Sequence, residues 1–341
     1  MLDGNRSTLE IVGAESLGVR SLCCAVALED HRILIDPGLA LGYFRHGQYP
    51  HPVQMVIGER VRRRILTLME QATDVVFSHF HGDHVPLKHA NPFQLSLLKL
   101  PRRFHGLHAW SKDADEETGE MHRRFCDLQE FFGDKFTPSE RRSVGPLSFS
   151  QAVPHGRSGS KLGKVIMTRI DTGSGVFVHA SDIQLLNGEA VEVILQWQPD
   201  IVLAGGPPLY LERLEESALA DAWGNALRLA ERVNTLILDH HLMRSQAGEA
   251  WLRELSQAAG RQVYCAADFM KHPRLLLEAW RDRLYHAFPV PDGWVDEYAQ
   301  GRFDVKPFLE SALARGVIPP LIDLRMIMKD SEESDPRPRG A

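Results

Sequence analysis

The sequence predicts an α/β protein in which helices cover β-sheet. Between residues 188 and 266, segments with helical periodicity alternate with short apolar segments, namely DIVLAG, TLILD and QVYCA. Three earlier apolar segments, LEIVG, SLCCAVAL and RILID, are bounded by polar or glycine-containing turns and are predicted to be strands. The composition, 43% hydrophobic and 25% charged, is that of a globular protein with enough apolar residues for a sizeable core.

The first part of the chain is predicted to contain a β-hairpin, a long loop and a helix. Two of the three early strands are expected to pair as the hairpin. Residues 37–52 are rich in glycine and proline, which indicates a loop, and an amphipathic helix follows over about 53–70. A buried strand, DVVF, comes next. Residues 86–145 are polar, arginine-rich and predominantly helical in pattern, so we predict an insertion there and consider it a candidate lid.

The second part returns to strands and then alternates with helices. PLSFSQAV, KVIMTRI and GVFVHA are predicted strands. Helices are expected at about 188–196, 209–232 and 247–258, and extra C-terminal helices at about 267–316. One elaborated domain over residues 1–325 can account for this length. The last residues, 326–341, are too polar to pack and are predicted to be a disordered tail.

Charge and composition restrict the partners. A formal net charge of −6 makes nucleic acid a less favoured partner than a small-molecule substrate, while local arginine clusters leave an anionic substrate open. The N-terminus lacks the pattern of a signal peptide, and no stretch approaches the ~18 apolar residues that span a bilayer. We therefore predict no membrane association and a cytoplasmic location. The four cysteines show no CxxC spacing and are expected to be reduced.

Metal-ligating residue types are concentrated directly after the strand DVVF. His79, His81, Asp83 and His84 lie within seven residues, SHFHGDH. Side chains two apart on an extended segment point the same way, so His79 and His81 can hold one ion. Gly82 permits a sharp turn that brings Asp83 and His84 toward a second ion. An ordinary polar strand-to-helix turn would not explain three histidines and an aspartate beside an apolar strand. The segment therefore predicts a metal site.

The HxHxDH pattern resembles the signature of the metallo-β-lactamase superfamily. The resemblance covers roughly residues 8–270 and includes the segments IDPGLALG, AVPHG, ASDI, AGGPP and DHHLMR. Together they look like a branch described only as predicted metal-dependent hydrolases. The resemblance implies an αββα four-layer sandwich with metals at one edge of the sheets. Here the sandwich would carry the helical insertion and the extra C-terminal helices.

The same resemblance implies the remaining ligands, which come from later strand ends in a fixed order. His155 would complete the site of the first two histidines, and Asp182 would bridge both ions. His240 or His241 would join the second ion, and the pattern LILDHH favours His240. Neighbouring side chains on an extended segment point to opposite faces, so the two histidines are expected to have different roles. Asp36 looks like a buried acid that orients a ligand histidine.

The function implied is that of a dinuclear metal-dependent hydrolase. Two divalent ions are expected; zinc is favoured, while iron and manganese remain open. Asp83, Asp182 and His241 are the predicted catalytic residues. Aspartate rather than cysteine at the bridging position, Asp182, favours a phosphoester or lactone-type small molecule over an antibiotic. The alternatives are a ribonuclease Z-like RNA-processing nuclease and a non-catalytic, metal-stabilised binding or sensing protein.

Overall fold

The computed structural model describes residues 7–319, apart from residues 46, 101, 116, 160, 161 and 213. The predicted disordered tail, residues 326–341, lies outside the described residues. Within them, two six-stranded sheets and one two-stranded sheet are formed. The two large sheets face each other and account for most of the strands.

The first sheet contains strands in sequence order, β1 to β6. Its strands are β1 Thr8–Ile11, β2 Cys24–Ala27, β3 Arg32–Ile35, β4 Asp74–Phe77, β5 His108–Ser111 and β6 Phe136–Pro138. Strands β1, β2 and β3 pair antiparallel, which confirms the predicted hairpin. From β3 to β6 the pairs are parallel, because each connection crosses over the outer face of the sheet.

The second large sheet has the order β14-β13-β12-β11-β8-β7. Its strands are β7 Ser143–Val144, β8 Leu147–Phe149, β11 Thr168–Asp171, β12 Val176–His179, β13 Ile201–Ala204 and β14 Thr235–Leu238, and the two-stranded sheet consists of β9 Val153–Pro154 and β10 Lys164–Val165. Strands β12, β13 and β14 are parallel neighbours, so their carboxyl ends meet at one edge.

Helices cover the outer face of each large sheet. The α-helices of the described residues are α1 Pro52–Gln71, α2 Gly119–Phe132, α3 Gly188–Gln196, α4 Glu216–Arg232, α5 Ala247–Ala258, α6 Ala266–Phe269, α7 Arg281–Ala287, α8 Trp294–Ala299 and α9 Lys306–Ala314. His51 caps the start of α1, where its side chain accepts from the backbone N–H of Val53. Across the described part of the chain, no helix combines the length and the apolar character needed to cross a bilayer.

Three apolar cores separate the layers. Ile33 and Ile35 of β3 belong to the core between the sheets, whereas Leu34 belongs to the core beneath α1. In β13, Leu203 faces the inter-sheet core and Val202 faces the core beneath α3, α4 and α5. Alternate residues of one strand therefore pack on opposite sides, as a buried sheet requires. The predicted αββα four-layer sandwich is confirmed.

Some predicted elements differ from the structure. Residues 86–145 are not predominantly helical, since β5 and β6 extend the first sheet from within this segment. These strands are short and partly polar, so the sequence does not show the apolar pattern by which a strand is recognised. The predicted strand at 262–266 is reduced to a single bridge between Ile237 and Tyr264. Helix α4 begins at Glu216 rather than at residue 209, because turns at residues 209, 210 and 212 follow Pro207 and Pro208.

The segment 86–145 nevertheless contacts the metal-ligand motif. Nη1 of Arg124, on α2, donates to the backbone carbonyl of Phe80 at 3.0 Å. Phe80 lies between the two histidines that begin the motif. Its ring also packs edge-on against Phe125, the residue after Arg124, at a centroid distance of 5.5 Å. Helix α2 therefore helps to hold the motif in place, and a role for this segment as a lid stays a prediction.

Candidate metal centre

The predicted ligands lie together at one edge of the sandwich, each shortly after the end of a strand. The HxHxDH segment follows β4, and His155 follows β9 directly. Asp182 and His240 follow β12 and β14, which are parallel strands of the second sheet. Carboxyl ends of parallel strands form a common edge, the usual place for a site in such sheets. Residues far apart in sequence thereby become neighbours.

The first ligand group consists of His79, His81, His155 and Asp182, whose ligand atoms all lie within 4.8 Å of one another. Nε2 of His79 is 3.6 Å from Oδ2 of Asp182. Nε2 of His155 is 3.3 Å from the same oxygen. His81 is partly exposed, and the other three are buried. The structure thus brings together the three histidines assigned to the first ion and the proposed bridging carboxylate.

The second ligand group consists of Asp83, His84 and His240, again within 4.8 Å of one another. Nε2 of His84 is 2.9 Å from Oδ1 of Asp182, and Nε2 of His240 is 3.5 Å from it. Nε2 of His240 is also 3.5 Å from Oδ2 of Asp83. The two oxygens of Asp182 therefore face different groups, which is the arrangement that a bridging carboxylate requires.

Some buried atoms at this centre have no hydrogen-bond partner among the residues that the structure describes. They include Nε2 of His79, Nε2 of His84 and Oδ1 of Asp182. The last two are 2.9 Å apart, but they do not have hydrogen-bond geometry. Buried polar atoms are almost always paired, so unpaired ones need an explanation. Imidazole nitrogen and carboxylate oxygen are the ligand atoms of zinc and similar divalent ions, and the residues present fit such ions.

At His79 and Asp182, burial and neighbouring charges favour the protonation states that bind a metal. At His84, by contrast, burial is outweighed by the carboxylates of Asp182 and Asp36, which raise the pKa of that imidazole well above its ordinary value. Burial, together with the nearby imidazoles of His84 and His81, holds the pKa of His79 well below its ordinary value. Burial alone would raise the pKa of Asp182, but the imidazoles of His240 and His84 outweigh it and keep that pKa well below the usual range. A neutral imidazole and an ionised carboxylate are the forms that coordinate metal.

Asp36 supports the second group from behind. Its Oδ2 lies 3.1 Å from Nδ1 of His84, which leaves Nε2 of that imidazole directed at Asp182. Asp36 also accepts from the backbone N–H of Ser78 at 2.7 Å and from the hydroxyl of Ser181 at 3.0 Å. Asp36 and Ser181 both have left-handed backbone conformations, with φ of 46° and 50°. Such conformations cost free energy and cluster at functional sites. The structure thus gives Asp36 the orienting contact expected from the sequence.

His240 and His241 both point into the centre, contrary to the expectation that they face opposite ways. Strand β14 ends at Leu238, so the two histidines lie in a turn and no longer follow the alternation of a strand. Nε2 of His241 is 3.3 Å from Oδ2 of Asp182 and 3.0 Å from Nε2 of His155. His241 therefore borders the first group, while His240 belongs to the second.

Comparison with known proteins identifies the family. No protein-family model matches the chain. A UPF0282 protein from Methanosarcina mazei is 45% identical over 301 residues, which cover 88% of this chain and 99% of that protein. A UPF0282 protein from Thermococcus gammatolerans is 35% identical over 293 residues, which cover 80% of this chain and 93% of that protein. The chain belongs to the UPF0282 family.

Two solved structures show a distant similarity to the UPF0282 chain. Tm1679, a metal-dependent hydrolase of the β-lactamase superfamily, gives a TM-score of 0.47 at 13% identity and covers 76% of this chain and 96% of its own. MEM-A1, a subclass B3 metallo-β-lactamase, gives a TM-score of 0.28 at 17% sequence identity. The match covers 86% of this chain and 90% of the MEM-A1 chain. The αββα layers and the two ligand groups of the UPF0282 chain themselves confirm the superfamily predicted from the HxHxDH motif.

Three residues next to the second group were missed by the sequence analysis. Nη2 of Arg244 donates to Nε2 of His240 at 3.1 Å, and its Nε donates to Glu15 at 2.8 Å. The hydroxyl of Tyr210 lies 3.2 Å from Nη1 of Arg244 and 3.1 Å from Nδ1 of His241. The motif DHHLMR contains Arg244 four residues after His240, which is one helical turn and was the available signal.

Proposed function

We propose that this UPF0282 chain is a metal-dependent hydrolase with a dinuclear site, acting on a phosphoester or lactone-type small molecule. The observation that supports this most strongly is Asp182, whose two oxygens face two separate groups of buried ligands. Zinc is the favoured ion, because a set of imidazoles and carboxylates without cysteine suits it, although iron and manganese accept the same ligands. When bound, a pair of divalent ions supplies a hydroxide nucleophile near neutral pH and polarises the electrophilic carbonyl or phosphoryl group.

The chain's own residues fix the geometry of the reaction. Asp182 holds the two ligand groups at a set separation, and Asp36 keeps the His84 ring oriented through Nδ1. Asp83 lies on the solvent side of the second group, with 18% of its side chain exposed, while His84 and His240 are fully buried. The carboxylate of Asp83 is therefore placed where a substrate enters.

His241 is placed to exchange a proton with the leaving group. Its Nδ1 is held by the Tyr210 hydroxyl at 3.1 Å, and its Nε2 faces the first ligand group. Burial, partly offset by Asp182, lowers the pKa of His241 to about 3. The imidazole is thus neutral near pH 7, so it must take up a proton before it can give one to the leaving group. Proton transfer by a positioned side chain of this kind contributes ~10²- to 10⁴-fold to a rate.

The test combines metal analysis with a substrate panel. Purified protein is treated with a chelator, reconstituted with zinc, manganese or iron, and assayed on an aryl phosphodiester, a lactone and a short RNA. We expect hydrolysis of the phosphodiester or the lactone that disappears with the metal and returns on reconstitution. Hydrolysis confined to RNA would instead identify a nuclease. A fully loaded protein with no activity on any of them would contradict the proposal and favour a metal-stabilised binding protein.

A further inference from the structure

Four arginines surround two buried carboxylates beside the second ligand group. We call this set, Arg20, Arg45, Arg244 and Arg281 with Glu15 and Glu278, the arginine cluster. Arg20 and Arg45 approach Glu278, the latter with its Nε at 3.1 Å, and Arg244 binds Glu15 at 2.8 Å. Four guanidinium groups against two carboxylates leave a surplus of two positive charges. Asp83, 4.0 Å from Arg244, already belongs to the metal ligands.

Two buried nitrogens of the arginine cluster make no hydrogen bond among the described residues. Nη2 of Arg281 has no partner there, and Nε of Arg45 is 3.1 Å from the Glu278 carboxylate but does not have hydrogen-bond geometry. Arg281 is fully buried, and its other nitrogens bind Oε1 of Gln54 and the backbone carbonyl of Gln48. Burial, with a further contribution from Arg20, lowers the pKa of Arg281 to about 10 despite the opposing effect of Glu278. Buried cationic donors without acceptors are costly, so they point to a missing acceptor.

Arg244 contacts the metal ligand His240 directly, and the Tyr210 ring lies between Arg244 and Arg45. The guanidinium carbons of Arg45 and Arg244 lie 5.2 Å and 5.1 Å from the centre of the Tyr210 ring. The hydroxyl of that ring contacts His241. Arg45 lies in the loop before α1, and 29% of its side chain is exposed although its Nε is buried, so this side chain lies at the boundary between the cluster and solvent. An anion there would lie next to a substrate at the metal centre.

We propose that the arginine cluster, with Arg45 as its contact residue, binds an oxyanion of the substrate, a phosphate or carboxylate that is not the group cleaved. This inference rests on the proposed function, because it assigns a substrate to that same site. The substrate is then an anion with two separate regions: a scissile group at the metal centre and an anionic group beside Tyr210. A planar guanidinium fork suits either oxyanion, since it donates two parallel hydrogen bonds.

The experiment measures binding of inorganic phosphate and of acetate to the metal-loaded protein by calorimetry at low ionic strength. The variant is Arg45→Gln, and the matched control is Arg64→Gln. Arg64 also pairs with a single glutamate, Glu10 at 2.6 Å, but it lies on the exposed face of α1. We expect Arg45→Gln to weaken binding of at least one anion ~10- to 100-fold, the value of a charge-assisted hydrogen bond. Arg64→Gln should bind both anions as the unchanged protein does. The metal content should be equal in the unchanged protein and the two variants.

Two results separate this inference from the proposed function. Anion binding that is equal in Arg45→Gln and in the unchanged protein, and that is abolished by removing the metal, would overturn the inference while leaving hydrolysis possible. Arg45-dependent anion binding without any hydrolysis would refute the proposed function alone. If Arg45→Gln loses metal, the Arg45→Lys variant is used instead. Lysine keeps the positive charge opposite Glu278 but lacks the planar guanidinium that donates two parallel hydrogen bonds. Weaker binding by Arg45→Lys at full metal content supports the inference, and unchanged binding contradicts it.

Discussion

The two ligand groups share Asp182 but are held by the protein in different ways. In the first group, the hydrogen-bond partner of Nδ1 of His79 is the neutral hydroxyl of Ser78, and Nδ1 of His155 has no partner among the described residues. In the second group, charged side chains hold the ligands: Asp36 binds His84, and Arg244 binds His240. A metal ion and Arg244 would compete for the same lone pair on His240. We therefore expect the first group to bind its ion more tightly than the second.

The largest expected effect is that of Asp182→Ala, which removes the residue shared by both groups. Oδ1 and Oδ2 of Asp182 each face buried imidazoles, so this variant should lose both ions, whereas His81→Ala should lose only the first. Elemental analysis after chelator treatment and reconstitution measures the content. Asp221→Ala, an exposed carboxylate on α4, is the control and should keep all metal. Full metal occupancy in Asp182→Ala would remove the basis of the dinuclear assignment.

The adjacent histidines provide the next test, because they belong to different groups. His240→Ala should lose the second ion and nearly all hydrolysis. His241→Ala should keep both ions and lose rate by ~10²- to 10⁴-fold, since its imidazole is placed for proton transfer. Side-by-side metal analysis of the two variants decides between them. Retention of both ions in His240→Ala, with loss of one in His241→Ala, would reverse the two roles.

The fold and most of the site could be predicted because their signals are local. HxHxDH places four ligands within one short segment, and the alternation of strands and helices gives the layers. The contacts that distinguish the two groups are not local. Glu15 and Arg244 are separated by 229 residues, so only the packed fold brings them together. The shared direction of His240 and His241 was also missed, because the strand rule was applied beyond Leu238, where the strand ends.

A smaller effect is expected when Asp36 is changed to asparagine. The amide cannot accept from His84, Ser78 and Ser181 as the carboxylate does, so the His84 ring loses its fixed orientation. Loss of such a partner typically weakens metal affinity ~10- to 100-fold. Here the second ion should be weakened most, because Asp36 contacts His84 directly and His79 only through Ser78. Competition with a chromophoric chelator measures both affinities.

Asp74→Asn is the matched control for this variant. Asp74 is also a buried, hydrogen-bonded aspartate, but it lies at the opposite end of β4 from the ligand motif. Both ions should bind to Asp74→Asn as they do to the unchanged protein. Equal weakening of the two ions in Asp36→Asn would show that the groups are not held independently.

The smallest effect on the metal centre itself is expected from Glu278, which tests the pH dependence of stability on the arginine side of the second group. Burial would raise the pKa of Glu278, but the charge and hydrogen bonds of Arg20 outweigh it and lower that pKa to about 2. A carboxyl group whose pKa is lower in the folded state than in the unfolded chain stabilises the fold above the unfolded value, roughly pH 4 to 4.5. This contribution is lost as the pH falls from there toward 2, and it is on the order of 2–3 kcal/mol.

The measurement compares urea unfolding of the unchanged protein and of Glu278→Gln at pH 5 and at pH 3. Glutamine cannot ionise, so the stability advantage of the unchanged protein should be largest at pH 5 and should shrink at pH 3. Glu254→Gln, exposed on α5, is the control and should unfold like the unchanged protein at both pH values. Acid also protonates the ligand histidines and releases metal, but this affects all three proteins alike and cancels in the difference. A difference between the unchanged protein and Glu278→Gln that stays constant from pH 5 to pH 3 would show that Arg20 does not hold Glu278 ionised. The arginine cluster would then not be the feature by which the protein holds the second ligand group differently from the first.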